Sequence, residues 1–212
     1  MLSLYVMIKS RRKENRSDHA IMYHVSFDRV TEFIPKIQKN ICPGEDAAIP
    51  HICAAPTIGQ ALNAVPQAGF VASYMRELGL PVILHVYALT GDRLMENHKV
   101  QQHVPDAELS GEVWLLEKPA SVKRTDYEIT DFDTKIFIDV NGNEICCIYN
   151  LKARVCAYNS NRENFIKEFH PSNRKRFWEL FETYGYRTVI FNIGEDLIQK
   201  RQAQALEEEY EK

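Results

Sequence analysis

Long apolar runs are missing from this sequence. None approaches the roughly 18 residues that a membrane-crossing helix requires, so no membrane partner is expected. A dominant charge is missing too. Lys and Arg number 26 against 29 Asp and Glu, a formal net charge of −3, which provides no global field to gather nucleic acid or anionic lipid. Cysteine is sparse and odd in number, with Cys42, Cys53, Cys146, Cys147 and Cys156 and no C-x-x-C pair among them. Zinc-ribbon and dithiol redox motifs are therefore absent, no metal is expected, and free thiols in a reducing, cytoplasmic setting are the expectation. No glycine-rich phosphate loop, internal repeat or low-complexity tract is found. At the amino terminus a short apolar run precedes a basic cluster, the reverse of a signal peptide, so secretion is not expected. A start at Met22 would remove that segment without loss to the fold.

What is present is ordinary globular material: 212 residues, 45% hydrophobic and 26% charged, enough for a proper core. Apolar spacing predicts a short helical turn over 30–37, broken by Pro35 and then by CPGED at 42–46. HICAAP (51–56) reads as a strand, after which Thr57 can cap a helix over 58–65. A second helix is predicted over 70–78, ended by Gly79. LPVILHVYAL (80–89) is a nearly continuous apolar strand, suited to burial on both faces. LSGEVWLLEKP (109–119) reads as a strand with VKRTDYEITDF (122–132) beside it. Asn141-Gly142 between two apolar segments predicts a hairpin. A helix is expected over 161–184, a strand over 186–193 and a charged helix after it. The class is α+β. Residues 1–20 are expected to be a flexible segment, 21–132 the core, and 133–212 a carboxy-terminal α/β extension packed on it.

Two segments carry polar chemistry on apolar strands. In IMYHVSF (21–27), alternation puts Met22, His24 and Ser26 on one face and Tyr23, Val25 and Phe27 on the other. Either the first face is partly wet, or His24 is a satisfied core histidine, or it belongs to a site completed later in the chain. Glu112 shares a strand face with Trp114 and Leu116. Such a carboxylate is either wet at a strand start or desolvated and drawn into hydrogen bonding.

In segment order, MYHVSF, then HICAAPTIGQALNAV, LPVILHVYALTGD and VPDAELSGEVWLLEKPASVKRTDYEI, the chain resembles the ADP-ribosyltransferase fold over roughly residues 21–130. That is the split sheet shared by poly- and mono-ADP-ribosyl transferases. The resemblance implies a split, mixed β-sheet with short flanking helices, NAD as substrate and a macromolecular acceptor, protein or nucleic acid. It implies that Glu112 stabilises an oxocarbenium-like ribose. It further implies that His24 positions NAD, with Ser26, Thr57 and Tyr74 completing the cofactor-binding set, and that His24 and Glu112 open onto one cleft. Cytosolic members often act as toxins or in phage–host conflict. Val25 follows the histidine where many members carry Gly. The second strand, Ile52-Cys53-Ala54-Ala55, lacks the tyrosine that many members stack on nicotinamide, leaving Tyr74 or Phe70 to supply a ring.

Two other readings stay open: a binding protein that retains the fold without catalysis, and an NAD-using RNA 2′-phosphotransferase. The latter would need several basic residues, for which Arg29 and Lys36 are nearest. Asp46 and His51 lie in or beside a loop able to touch a ligand, but turn chemistry around Gly44 is the favoured account of that loop. His85 is expected to be structural, and His98 and His103 sit in a polar loop. The set Arg174-Lys175-Arg176 beside Phe177 and Trp178 reads as a solvated helix face or a nucleic-acid contact.

Overall fold

The computed structural model describes residues 20–37, 48–104, 107–138, 142, 144–156 and 185–210. The expected helix over 161–184, the basic set at 174–176, Cys42, Asp46 and the segment 1–19 lie outside the described residues. Among the described residues seven strands follow in chain order: β1 (Met22–Ser26), β2 (Ile52–Ala54), β3 (Val82–Thr90), β4 (Leu94–Met95), β5 (Val113–Leu115), β6 (Ser121–Ile138) and β7 (Glu144–Val155). The helices are α1 (Ile58–Asn63), α2 (Ala68–Glu77), α3 (Asn97–Val100), α4 (Ala107–Ser110) and α5 (Tyr186–Tyr210). Among the described residues no helix is long and apolar enough to cross a membrane.

The strands form two sheets, one ordered β1-β3-β6-β7 and one ordered β2-β5-β4. Each pairing is antiparallel, which corrects the expectation of a mixed sheet. Among the described residues the sheets meet at a single β-bridge, where Tyr23 and Ala55 exchange both backbone hydrogen bonds at 2.8 and 2.9 Å. Beyond that pair β1 and β2 diverge. One core joins Val25 of β1, Phe27 just after it, and Val82, Leu84 and Val86 of β3 to α1, α2 and Ile190 of α5. A second, on the other side of β3, gathers Phe33, Ile52, Tyr87, Leu89 and Leu115. Strand β3 thus buries both faces, as its continuous apolar run predicts. A third cluster packs Val100, Val104 and Ala107 against Trp114.

Four further expectations are corrected. Residues 31–35 form no helix: Pro35 lacks the amide a helix would use, Phe33 is buried, and Lys36 instead bridges to His51. Strand β5 is only three residues long, because Ala107–Ser110 turns helically before Gly111 reverses the chain at φ +63°. Strand β6 pairs with β3 and β7, not with β5. Residues 186–193 open the helix α5, whose buried Ile190 and Gly194 and half-buried Ile198 recur every four residues. Packing of that stripe outweighs the strand preference of its β-branched and aromatic residues.

Candidate functional site

His24 stands where the sheets part. Its Nδ1 donates to the Cys53 carbonyl at 2.8 Å, spanning the gap between β1 and β2. Its ring meets Phe33 edge-on at 5.3 Å and Tyr87 at 6.1 Å, and Phe33 and Tyr87 contact each other at 4.9 Å. Tyr87 lies directly across from His24 on β3, so both rings project from one face. The Tyr87 hydroxyl takes the Val30 amide at 2.8 Å and donates to the Val30 carbonyl, pinning the segment that carries Phe33. Burial lowers the His24 pKa; the Cys53 hydrogen bond opposes that and Lys36 adds to it. With Nδ1–H committed to a carbonyl, the neutral ring presents Nε2 as an acceptor.

The same face continues across β3 and β6. Tyr87 pairs with Arg124, while Ser26 pairs with His85 and His85 with Asp126. His85 is fully buried, and its Nδ1 donates to Asp126 Oδ1 at 2.8 Å. Arg124 Nε reaches the same oxygen at 3.2 Å and keeps its side chain 32% exposed. His85 is thus tied to the Asp126–Arg124 ion pair. Ser26 Oγ accepts the Asp28 amide at 3.0 Å, a local turn bond.

Thr57 caps α1: its Oγ1 accepts the Gln60 amide and donates to Gln60 Oε1. The first bond is the N-cap contact expected of a Thr, and the second ties the two side chains together. Tyr74 lies between α2 and α5, stacked on Phe70 at 6.2 Å and against Gly194. Phe70 faces the same contact, toward Phe191. The rings beside His24 are instead Phe33 and Tyr87, which the sequence did not single out.

Glu112 lies elsewhere. Trp114 Nε1 donates to Glu112 Oε1 at 2.8 Å, so the carboxylate shares the Trp114 face. Trp114 pairs with Cys53, and Ile52 and Leu115 point the opposite way into the Phe33–Tyr87 cluster. Counting from the Tyr23–Ala55 pair, Ala54 and Ile52 share the His24 face, while Cys53, His51 and Glu112 share the other. The expectation that His24 and Glu112 open onto one cleft is corrected by this register: they occupy opposite faces of the split sheet.

Around Glu112 a second constellation appears. His51 is fully buried and stacks on Trp114 with centroids 3.8 Å apart and planes 8° from parallel. Its Nδ1 donates to the Ile49 carbonyl at 2.6 Å. The donor atoms of His51, Cys53 and Glu112 all lie within 4.8 Å of one another. The alternation of His51-x-Cys53 and of Glu112-x-Trp114 is visible in the sequence; their convergence needs the β2–β5 pairing, which is not. Comparison with known protein families, curated proteins and solved structures finds no match.

Proposed function

We propose that this protein binds NAD, or a related ribose-bearing nucleotide, on its His24 face without transferring ADP-ribose. The reading takes the resemblance over residues 21–130 as a binding fold and leaves Glu112 out of the ligand site. One observation carries it. His24, Tyr87 and Arg124 form a row across β1, β3 and β6, offering a neutral imidazole acceptor and a partly exposed guanidinium on one face. An imidazole acceptor suits a ribose hydroxyl donor, and a guanidinium suits a phosphate. Transfer would also need a carboxylate at the reacting ribose carbon. The strand paired with β2 turns Val113 and Leu115 toward this side, and Glu112 the other way.

The test is a paired measurement of NAD binding by calorimetry and of nicotinamide release. The parent is expected to bind NAD and release no nicotinamide. His24→Ala should weaken binding by about five- to tenfold, the worth of one hydrogen bond. Glu112→Gln should leave binding unchanged. Nicotinamide release that disappears in Glu112→Gln would restore the transferase reading, and a parent that binds no NAD would end the proposal.

A further inference from the structure

His51, Cys53 and Glu112 present one nitrogen, one sulfur and one oxygen ligand from the same sheet face, within 4.8 Å of one another. We propose that these three side chains form a zinc site on the face opposite His24. The inference does not rest on the nucleotide reading. A tetrahedral zinc with bonds of about 2.0–2.3 Å needs ligand atoms about 3.5 Å apart. The ceiling of 4.8 Å stands about 1.3 Å above that separation, so metal binding draws the three side chains together.

The surroundings are built as metal sites are built. The His51 Nδ1–H is held by the Ile49 carbonyl, which makes Nε2 the ligating nitrogen of the neutral ring. Stacking on Trp114 fixes the plane of that ring. Trp114 Nε1 also holds Glu112 Oε1, which orients the carboxylate. Asn97 donates to the Glu112 carbonyl at 2.9 Å and to the Ala107 carbonyl at 2.7 Å, locking the turn that delivers the carboxylate. Gly111, at φ +63° and in close contact with Gln60, allows that turn where a side chain would collide.

The donor set selects the ion. Thiolate with imidazole suits zinc, whereas magnesium and calcium take oxygen ligands alone. Binding releases the Cys53 thiol proton to solvent, so Zn²⁺, one thiolate and one carboxylate sum to zero charge. A neutral assembly is what a buried position tolerates: His51 is fully buried and Glu112 only 8% exposed. Three protein ligands leave the fourth position to water.

The test titrates the chelator-treated full chain with Co²⁺, a spectroscopic stand-in, and then with Zn²⁺. One Co²⁺ per chain is expected, with a sulfur-to-metal charge-transfer band that Zn²⁺ abolishes by displacement. Cys53→Ser should lose the band, Cys147→Ser should keep it, and Glu112→Gln should weaken affinity by more than about tenfold. The parent alone supplies a second readout that no folding defect can disturb: zinc should slow alkylation of Cys53, mapped by peptide mass, and leave Cys147 unaffected. A parent without the band, a band that survives Cys53→Ser, or alkylation of Cys53 indifferent to zinc would overturn the site.

Discussion

Burial holds the His24 imidazole below its ordinary pKa of 6.5, with the Cys53 carbonyl pulling back and Lys36 pushing further down. The sign of the pH dependence follows. Below about 6.5 the unfolded chain takes a proton that the folded ring still refuses. The contribution to stability is therefore complete above that pH and is lost as pH falls through the folded value. Urea midpoints should drop between pH 7 and 5, and His24→Phe should flatten the slope; an unchanged slope would contradict the assignment. Residue-level legibility was uneven for a physical reason. Alternation alone showed that His24 and Ser26 share a face, and that Glu112 and Trp114 share one. Which faces coincide depends on strand pairing, and pairing is long-range. The His24–Tyr87 contact spans 63 positions, and Cys53 and Trp114 are as remote. Cross-strand register set by packing leaves little trace in either segment read alone.

Elements declare themselves when local preference and packing agree. Helix α1 did so, because Thr57 stands at its N-cap and accepts the Gln60 amide. Helix α5 did not. Its opening residues, YRTVIFNI, favour strand, yet Gly185 at φ +81° starts the element and Asp28 Oδ2 receives the Arg187 amide at 3.2 Å. The buried stripe then seats it on α2, where Gly194 lets the helix approach Tyr74. A Cβ at Gly194 would meet Tyr74 Cδ2 at 2.7 Å and Cγ at 2.9 Å. Two effects compete in Gly194→Ala. Helix propensity favours alanine by about 1 kcal/mol, while overpacking costs about 1–3 kcal/mol. The clash should win, giving a net loss of about 1 kcal/mol by urea denaturation. Gly59, in α1, has nothing within 4 Å of its would-be Cβ, so Gly59→Ala should gain stability instead. If both substitutions stabilise, α5 does not rest on Tyr74 as described.

At the scale of the whole molecule, the two sheets differ in how firmly they are held. Strand β3 lies between β1 and β6 and buries residues on both faces, so its amides should open only with the entire chain. The small sheet is tied to β1 by the Tyr23–Ala55 bridge and by the His24–Cys53 hydrogen bond. Its strands are two or three residues long and share their apolar cover with Phe33 and α3–α4. The far end of the β6–β7 ladder has less still: past the register shifts at Ile129–Asp133, Ile136 is 50% and Ile138 63% exposed. Exposed ladder hydrogen bonds with few apolar neighbours break locally at little cost. Native-state hydrogen exchange at low denaturant should therefore rank β3 most protected, β2 and β5 next, and the ladder's far end, residues 136–138 and 144–145, least. The ranking matters because the proposed nucleotide and zinc sites lie on opposite faces of the same short β2, joined through Cys53. Its carbonyl holds His24 and its side chain faces His51 and Glu112. If β2 exchanged only by global unfolding, together with β3, the two sheets would be one cooperative unit. The single bridge would then not be the weak seam that this architecture makes it.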